Sequence, residues 1–275
     1  MVAVAFQGER GAYGEEAIVR FFGADVQPVP CKSFGDVFAA VSSGRVDFAM
    51  VPVENSQAGS INDNFDLLRQ HDLFATGEFC HTVDHCLMAL PGQSLSDIHR
   101  IISHPQALAQ CDQYLRQLGV EIVATYDTAG SAKMIREQDL QGVAAVAGAG
   151  AAELYNLQVL ATNIQTVPEN YTRFVVLSRT QGELLPGPHK TMLVMAVAHQ
   201  PRSLYQALGC LANRNINVLK LESRPSRNRP WEYFFYLDFE GHREDQIVRE
   251  ALAELATYTV FCKVLGSFVR DRRVE

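Results

Sequence analysis

The stretch Val2-Ala3-Val4-Ala5-Phe6, followed by Gly8 and Gly11 and then a helix-forming run from about Gly14 to Phe22, decides the fold class. A short apolar run that leaves into a glycine turn and then a helix is the signature of a buried strand in an α/β unit. The cadence returns at VQPVP (26–30), which leads to a helix capped at Ser33, and at VDFAMVPV (46–53) after the turn Ser43-Gly44. Three such units predict a parallel sheet with right-handed crossovers.

A second cadence spans residues 100–160. Strands are expected at RIIS (100–103), EIVAT (121–125) and VAAVA (143–147), with helices starting near Pro105, Thr128 and Ala149. Proline suits a first helical turn, where its missing N–H costs nothing. Two extended stretches, GEFCHTVDHCLMAL (77–90) and TRFVVLS (172–178), are placed to cross between two lobes and leave a cleft. TQGELLPGPHK (180–190) carries two prolines and two glycines and has no helical or strand period, which marks a linker. Beyond it the pattern reads strand 191–199, helix 202–213, strand 216–224, turn 226–230, strand 231–239, helix 244–257 and strand 259–268. That βαββαβ order is ferredoxin-like. The expected divisions are a two-lobed part over 1–180 (lobes about 1–80 plus 172–180, and 81–171), a linker over 181–189, and a small module over 190–275.

Composition bounds the function. The chain has 275 residues, 47% hydrophobic and 20% charged, so it can bury one large core or two smaller ones. A net charge of -7, with no basic stripe, argues against nucleic acid as a partner. Before Gly187 there are 11 basic and 21 acidic residues, and from it onward 13 and 10, a change of sign that also points to two domains. Cysteines 31, 80, 86, 111, 210 and 262 form no CxxC pair, so neither a disulfide framework nor a zinc ribbon is supported. No apolar run reaches the roughly 18 residues of a membrane span, and no charged segment precedes Val2, so a cytoplasmic protein without membrane contact is expected.

Three polar clusters sit at strand ends, where ligands of open α/β sheets bind. Glu54, Asn55 and Ser56 follow the apolar strand at 46–53; taken alone they also read as a helix-entry turn with a capping residue. Ser103, His104 and Gln106 stand where a helix begins, a place that favours an anion, although His104 reads equally well as part of a cap. Asn170, Thr172 and Arg173 lead into an apolar strand that has no structural need of a charge, and the guanidinium fork suits a carboxylate. Arg173 as a surface ion-pair partner is the plain alternative. No HExxH, P-loop, GxGxxG or GxSxG pattern accompanies them, so metal hydrolysis, nucleotide binding and serine acyl transfer lack support. Together the clusters describe a cleft for a small polar anion.

GERGAYGEEA (8–17), VPVENSQAGSINDNFDLL (51–68), SHPQALAQC (103–111), DTAGSAK (127–133), VAAVAGAGAAELYNL (143–157) and NYTRF (170–174) resemble, in order and spacing, the prephenate dehydratases and their arogenate dehydratase relatives. INVLKLESRP (216–225) resembles the ACT regulatory module of that family. The resemblance implies a catalytic part of periplasmic-binding-protein-like, two-lobed fold. It implies a carbon–oxygen lyase that turns prephenate into phenylpyruvate, water and CO2 without cofactor or metal, in phenylalanine biosynthesis. By the same analogy Thr172 is closest to the leaving 4-hydroxyl, with Glu54 or His104 in a network that carries the proton. Arg173 and the amides near Ser103 and His104 neutralise carboxylates. Asn55, Ser56 and Gln106 orient the substrate, and Asn170 and Phe174 complete its site.

The effector implied is phenylalanine, bound between paired modules at Ser203, Leu204, Asn217, Leu219, Glu222, Ser223 and Arg224 of a homodimer or homotetramer. One departure bears on it. Arg202 stands where the family has glycine at the start of the first helix of that module. Two other readings remain: arogenate as substrate, and a ligand sensor without turnover.

Overall fold

In the computed structural model, which describes residues 1–226 and 231–271, the apolar runs sort into three sheets. The first cadence gives β1 (Val2–Gln7), α1 (Tyr13–Phe22), β2 (Val26–Cys31), α2 (Phe34–Ser42) and β3 (Phe48–Asn55). β1 pairs in parallel with both β2 and β3, as the repeated strand–turn–helix pattern predicts. Ser33 and Asp36 form a reciprocal capping box at the start of α2. A two-residue strand, β4 (Gly59–Ser60), folds back on β3 before α3 (Asn62–Gln70) and β5 (Phe74–Thr82). Nothing in Gly59-Ser60 alternates, so pattern reading passes it over.

The second cadence gives β6 (Cys86–Ala89), β7 (Arg100–Ser103), α4 (Pro105–Gln110), α5 (Asp112–Leu118), β8 (Glu121–Ala124), α6 (Thr128–Gln138), β9 (Val143–Ala147), α7 (Ala149–Leu154) and β10 (Gln158–Ala161). The sheet order is β10-β6-β9-β7-β8, with β8 and β9 parallel to β7 and β6 antiparallel to β9. The single helix expected from Pro105 is broken at Cys111, whose φ of -102° and ψ of 8° leave the α region. Then β11 (Tyr171–Ser178) returns to the first sheet, whose order is β2-β1-β3-β11-β5. These two lobes and their crossings are the two-lobed α/β arrangement expected.

By compactness the chain divides into two units, residues 1–64 with 79–174, and residues 65–78 with those from 175 onward. The second unit contains β12 (His189–Ala196), α8 (Ser203–Ala212), β13 (Val218–Pro225), β14 (Tyr233–Glu240), α9 (Gln246–Thr257) and β15 (Phe261–Val269). The antiparallel order β13-β14-β12-β15, with both helices packed over a core of Leu193, Met195, Leu211, Leu237, Phe239 and Leu255, is the ferredoxin-like module. Of the turn expected over 226–230, all but Ser226 lies outside the described residues.

Residues 65–78 belong to this unit because their polar groups are satisfied there. Lys263 Nζ donates to the carbonyls of Leu68, Arg69 and His71, three acceptors that the end of α3 would otherwise leave unpaired. The Tyr236 hydroxyl donates to Phe65 O at 3.0 Å, and the two rings pack 4.9 Å apart. Arg224 pairs with Asp66 at 3.0 Å, so the guanidinium expected in an effector site is engaged on α3. Gly266 leaves room for the backbone of residue 75 to approach β15: a Cβ there would stand 1.9 Å from Ala75 O. At the start of α8, Arg202 has φ +74°, the left-handed region in which a side chain costs about 1 kcal/mol.

The deepest link is ionic. Lys190 Nζ lies 2.8 and 2.9 Å from the two oxygens of Glu78, whose Oε1 also accepts from the Asp271 N–H at 3.0 Å. The residues are 8% and 4% exposed, so removing one partner takes the counter-charge from a buried ion. Lys190→Met is expected to lower unfolding stability by about 3–5 kcal/mol, while Lys190→Met with Glu78→Leu recovers most of the loss. Denaturant titration of both checks this, and a single variant within about 1 kcal/mol of the parent contradicts the burial argument.

Candidate active site

Within the first unit the carboxyl ends of β1 and β3, the start of β11 and the first turns of α1, α4 and α6 border one cavity of about 790 Å³, counted with its open mouth. That is the size range of small-molecule sites. Phe6, Met50, Pro52 and Phe174 supply its apolar wall; Asn55, Gln106, Gln110, Asp127 and Thr172 are among its polar groups. Among the described residues, no Lys or Arg lines it.

Strand alternation decides what β11 shows the cavity. Thr172 and Phe174 line it, whereas the intervening Arg173 does not. Arg173 Nη2 lies 3.2 Å from Glu54 Oε2, and Glu54 is likewise absent from the lining. The structure therefore brings these two expected site residues together, outside the cavity.

Asn55 is 4% exposed and its carboxamide is oriented by the backbone. Its Oδ1 accepts the N–H groups of Gln57 and Ala58 at 3.0 and 2.9 Å, which can only donate. Its Nδ2 therefore faces the other way, toward Asn170 Oδ1 at 2.8 Å, Tyr171 O at 3.1 Å and Thr172 Oγ1 at 3.1 Å. Thr172 accepts in that contact, so its own hydroxyl proton remains available to donate. Asn170 is fully buried behind the wall and donates from Nδ2 to Gln110 Oε1 at 3.1 Å. Gln110 Nε2 in turn donates to Asn55 Oδ1 at 3.2 Å.

Other expected residues hold the frame. Ser103 is fully buried and gives its hydroxyl to Val146 O at 2.6 Å, across β7 and β9, so it is absent from the lining. Ser56 staples β3 to β11: its N–H donates to Tyr171 O and its Oγ accepts from Tyr171 N–H. His104 caps α4 through Nδ1, which accepts the Gln106 N–H at 3.2 Å. A neutral ring then carries its proton on Nε2, and both His104 and Gln106 line the cavity.

Gln110, Asp127, His85 and Tyr13 are among the lining residues that the sequence reading did not name. Gln110 stands four residues after Gln106 on one helix face, a spacing that offered the signal. Asp127 caps α6 by accepting Gly130 N–H at 2.7 Å, and burial pushes its carboxyl above the ordinary value. His85 sits in the crossing between β5 and β6, 2% exposed, with Nε2 2.8 Å from Gln110 Oε1 and Nδ1 2.9 Å from the Tyr13 hydroxyl. Burial holds His85 below, and Tyr13 well above, their ordinary values. Neither offered a spacing signal.

Comparison with known proteins places this geometry in a family. A family model described as prephenate dehydratase matches residues 4–182. Arogenate dehydratase/prephenate dehydratase 2 of Arabidopsis thaliana is 42% identical over 98% of this chain and 73% of its own length. A crystal structure of prephenate dehydratase in complex with L-Phe, from Arthrobacter aurescens, superposes with a TM-score of 0.90 at 32% identity, covering 98% of this chain and 90% of that one. A structure described as a novel type of quorum quenching acylase also gives 0.90, at 39% identity and 98% coverage of both chains. The Arabidopsis relatives are named chloroplastic, which overturns the cytoplasmic location expected from the sequence. The named dehydratases are lyases, as the sequence reading expected of this chain. With the family model matched over residues 4–182 and 42% identity across nearly its whole length, the chain belongs to the prephenate dehydratase family, whose dehydratases act in phenylalanine synthesis.

Proposed function

We propose that the chain converts prephenate to phenylpyruvate, with the Thr172 hydroxyl donating to the departing 4-hydroxyl. The observation that carries this reading is the orientation of Asn55: held by two backbone N–H groups, it donates to Thr172 Oγ1 and leaves the Thr172 proton free. In the reaction the bond to the ring carboxylate breaks, its electron pair enters the ring, and the C–O bond across the ring breaks to release hydroxide. Aromatisation drives both cleavages. The hydroxide takes up a proton and leaves as water.

A threonine alcohol is a weak acid, so its part is to stabilise the charge that develops on the leaving oxygen. Asp127, whose acid form burial favours, is the proton source lining the same cavity, and the Nε2–H of His104 can donate a hydrogen bond to the leaving oxygen. Glu54, paired with Arg173 outside the lining, has no part in this scheme. A lining without Lys or Arg among the described residues also suits decarboxylation, because a carboxylate without an ion-pair partner loses CO2 more readily. Neutral hydrogen-bond donors of the lining, the Gln106 carboxamide among them, hold the anion instead. Acyl transfer, suggested by one structural relative, would require a base on the nucleophile. The amide touching Thr172 donates to it and cannot accept its proton.

The reading extends to regulation by phenylalanine at the ferredoxin-like modules of a homo-oligomer. Support comes from the L-Phe complex of the Arthrobacter relative and from Tyr205, Leu221, Trp231 and Val260, exposed apolar side chains of this module. Added phenylalanine is expected to inhibit turnover, and light scattering to give a dimer or larger; a flat activity curve together with a monomer contradicts the regulatory part.

For catalysis, Thr172→Val is expected to lower kcat on prephenate by about 100-fold or more while leaving the circular dichroism spectrum unchanged. Thr172→Ser, which keeps the hydroxyl, is expected to stay within about tenfold of the parent. Appearance of phenylpyruvate measures both, and near-normal turnover by the valine variant removes Thr172 from the mechanism.

A further inference from the structure

The two backbone N–H groups that orient Asn55 set the polarity of a longer chain. Because Asn55 Oδ1 is an acceptor, the Gln110 atom 3.2 Å away is its amide nitrogen. Gln110 Oε1 therefore points at Asn170 Nδ2 and at His85 Nε2. An oxygen 2.8 Å from Nε2 requires a proton on that nitrogen. In the neutral ring Nδ1 then holds a lone pair, and the single proton of the Tyr13 hydroxyl is shared between it at 2.9 Å and the Asp84 carbonyl at 3.0 Å. The reverse tautomer would set the Nε2 lone pair against Gln110 Oε1. Turning the Gln110 amide to relieve that clash would set oxygen against Asn55 Oδ1, so the links from Asn55 through Gln110 to His85 Nε2 have one consistent polarity.

We infer that His85 and Tyr13 are positioning residues for Thr172: the Nε2–H of His85 holds the Gln110 carboxamide, which bridges Asn170 and the backbone-oriented Asn55 and so keeps Asn55 Nδ2 against Thr172 Oγ1, while the Tyr13 hydroxyl braces Nδ1 of the same ring. This rests on the reading of Thr172 as donor. Tyr13 begins α1, His85 lies in the crossing into the second lobe, and Gln110 ends α4, so the chain draws on both lobes around the cavity. The ionisable groups near the pair are Asp84, whose backbone carbonyl also lies 3.0 Å from the Tyr13 hydroxyl, Glu16, Cys86 and Cys111, and His81, whose ring lies 6.0 Å from that of Tyr13. Burial outweighs Asp84 at His85 and keeps the ring neutral.

The test joins a spectroscopic and a kinetic measurement on the full chain. Histidine 15N spectra of the parent, with His85 assigned by its loss in a variant, are expected to show a protonated Nε2 and an unprotonated Nδ1 at pH 7. In steady-state assays with prephenate, His85→Leu is expected to lower kcat about tenfold or more with KM within about threefold, because a donor to Gln110 is lost. His85→Gln, whose amide can donate to Gln110, is expected to retain kcat within about threefold. Tyr13→Phe is expected to lower kcat about threefold to tenfold and to let the His85 ring take up a proton at higher pH than in the parent.

A protonated Nδ1 or an imidazolium in the parent at pH 7 overturns the inference, as does equal kcat for the leucine and glutamine variants. If His85→Leu does not fold, the parent spectrum and Tyr13→Phe still decide. A parent that turns over neither prephenate nor arogenate sinks the functional reading instead, and that is seen before any variant is made.

Discussion

Two backbone N–H groups, those of Gln57 and Ala58, fix which end of the Asn55 carboxamide carries oxygen, and the polar architecture of the cavity follows from that constraint. A side-chain amide alone has two nearly equivalent orientations. Backbone donors at 3.0 and 2.9 Å remove the choice, because no rotation turns an N–H into an acceptor. The turn that supplies them lies between β3 and β4, so a two-residue strand with no apolar signature is part of what orients the site. The Asn55 Nδ2 group then serves three acceptors, Asn170, Tyr171 and Thr172, from one buried position.

Holding such a network together needs rigid surroundings, and the fold provides them from both lobes. Ser56 ties β3 to β11 through two hydrogen bonds, which sets the spacing between Asn55 and Thr172. Ser103 braces β7 against β9 beneath α4, the helix that presents Gln106 and Gln110. A buried polar network costs free energy wherever one member lacks a partner. The tight accounting around Asn55, Gln110 and Asn170 therefore favours a single arrangement over a family of nearly equal ones.

Much of this was legible in the sequence, and the exceptions share physical causes. The strand–turn–helix repeats disclosed both lobes, and the strand ends at Asn55 and Thr172 were marked by polar residues following apolar runs. Side-chain direction was the weaker inference. Arg173 follows Thr172 directly, yet alternation along β11 turns it from the cavity toward Glu54. Ser103 and Ser56 stand at the expected strand ends but serve backbone groups, which a sequence motif cannot distinguish from serving a ligand. Tyr13 and His85 lie 72 residues apart and meet only in the folded chain. The same holds for Glu78 and Lys190, 112 residues apart, whose pairing groups residues 65–78 with the C-terminal module.

The family identifies a dehydratase, and the account commits to its substrate. The most direct test is side-by-side steady-state kinetics of the purified chain on prephenate and arogenate, with controls for the spontaneous aromatisation of prephenate in acid. A higher kcat/KM for prephenate is expected, with phenylpyruvate as product. A higher value for arogenate, with phenylalanine formed directly, would contradict it while leaving the fold and the Asn55–Thr172 geometry in place.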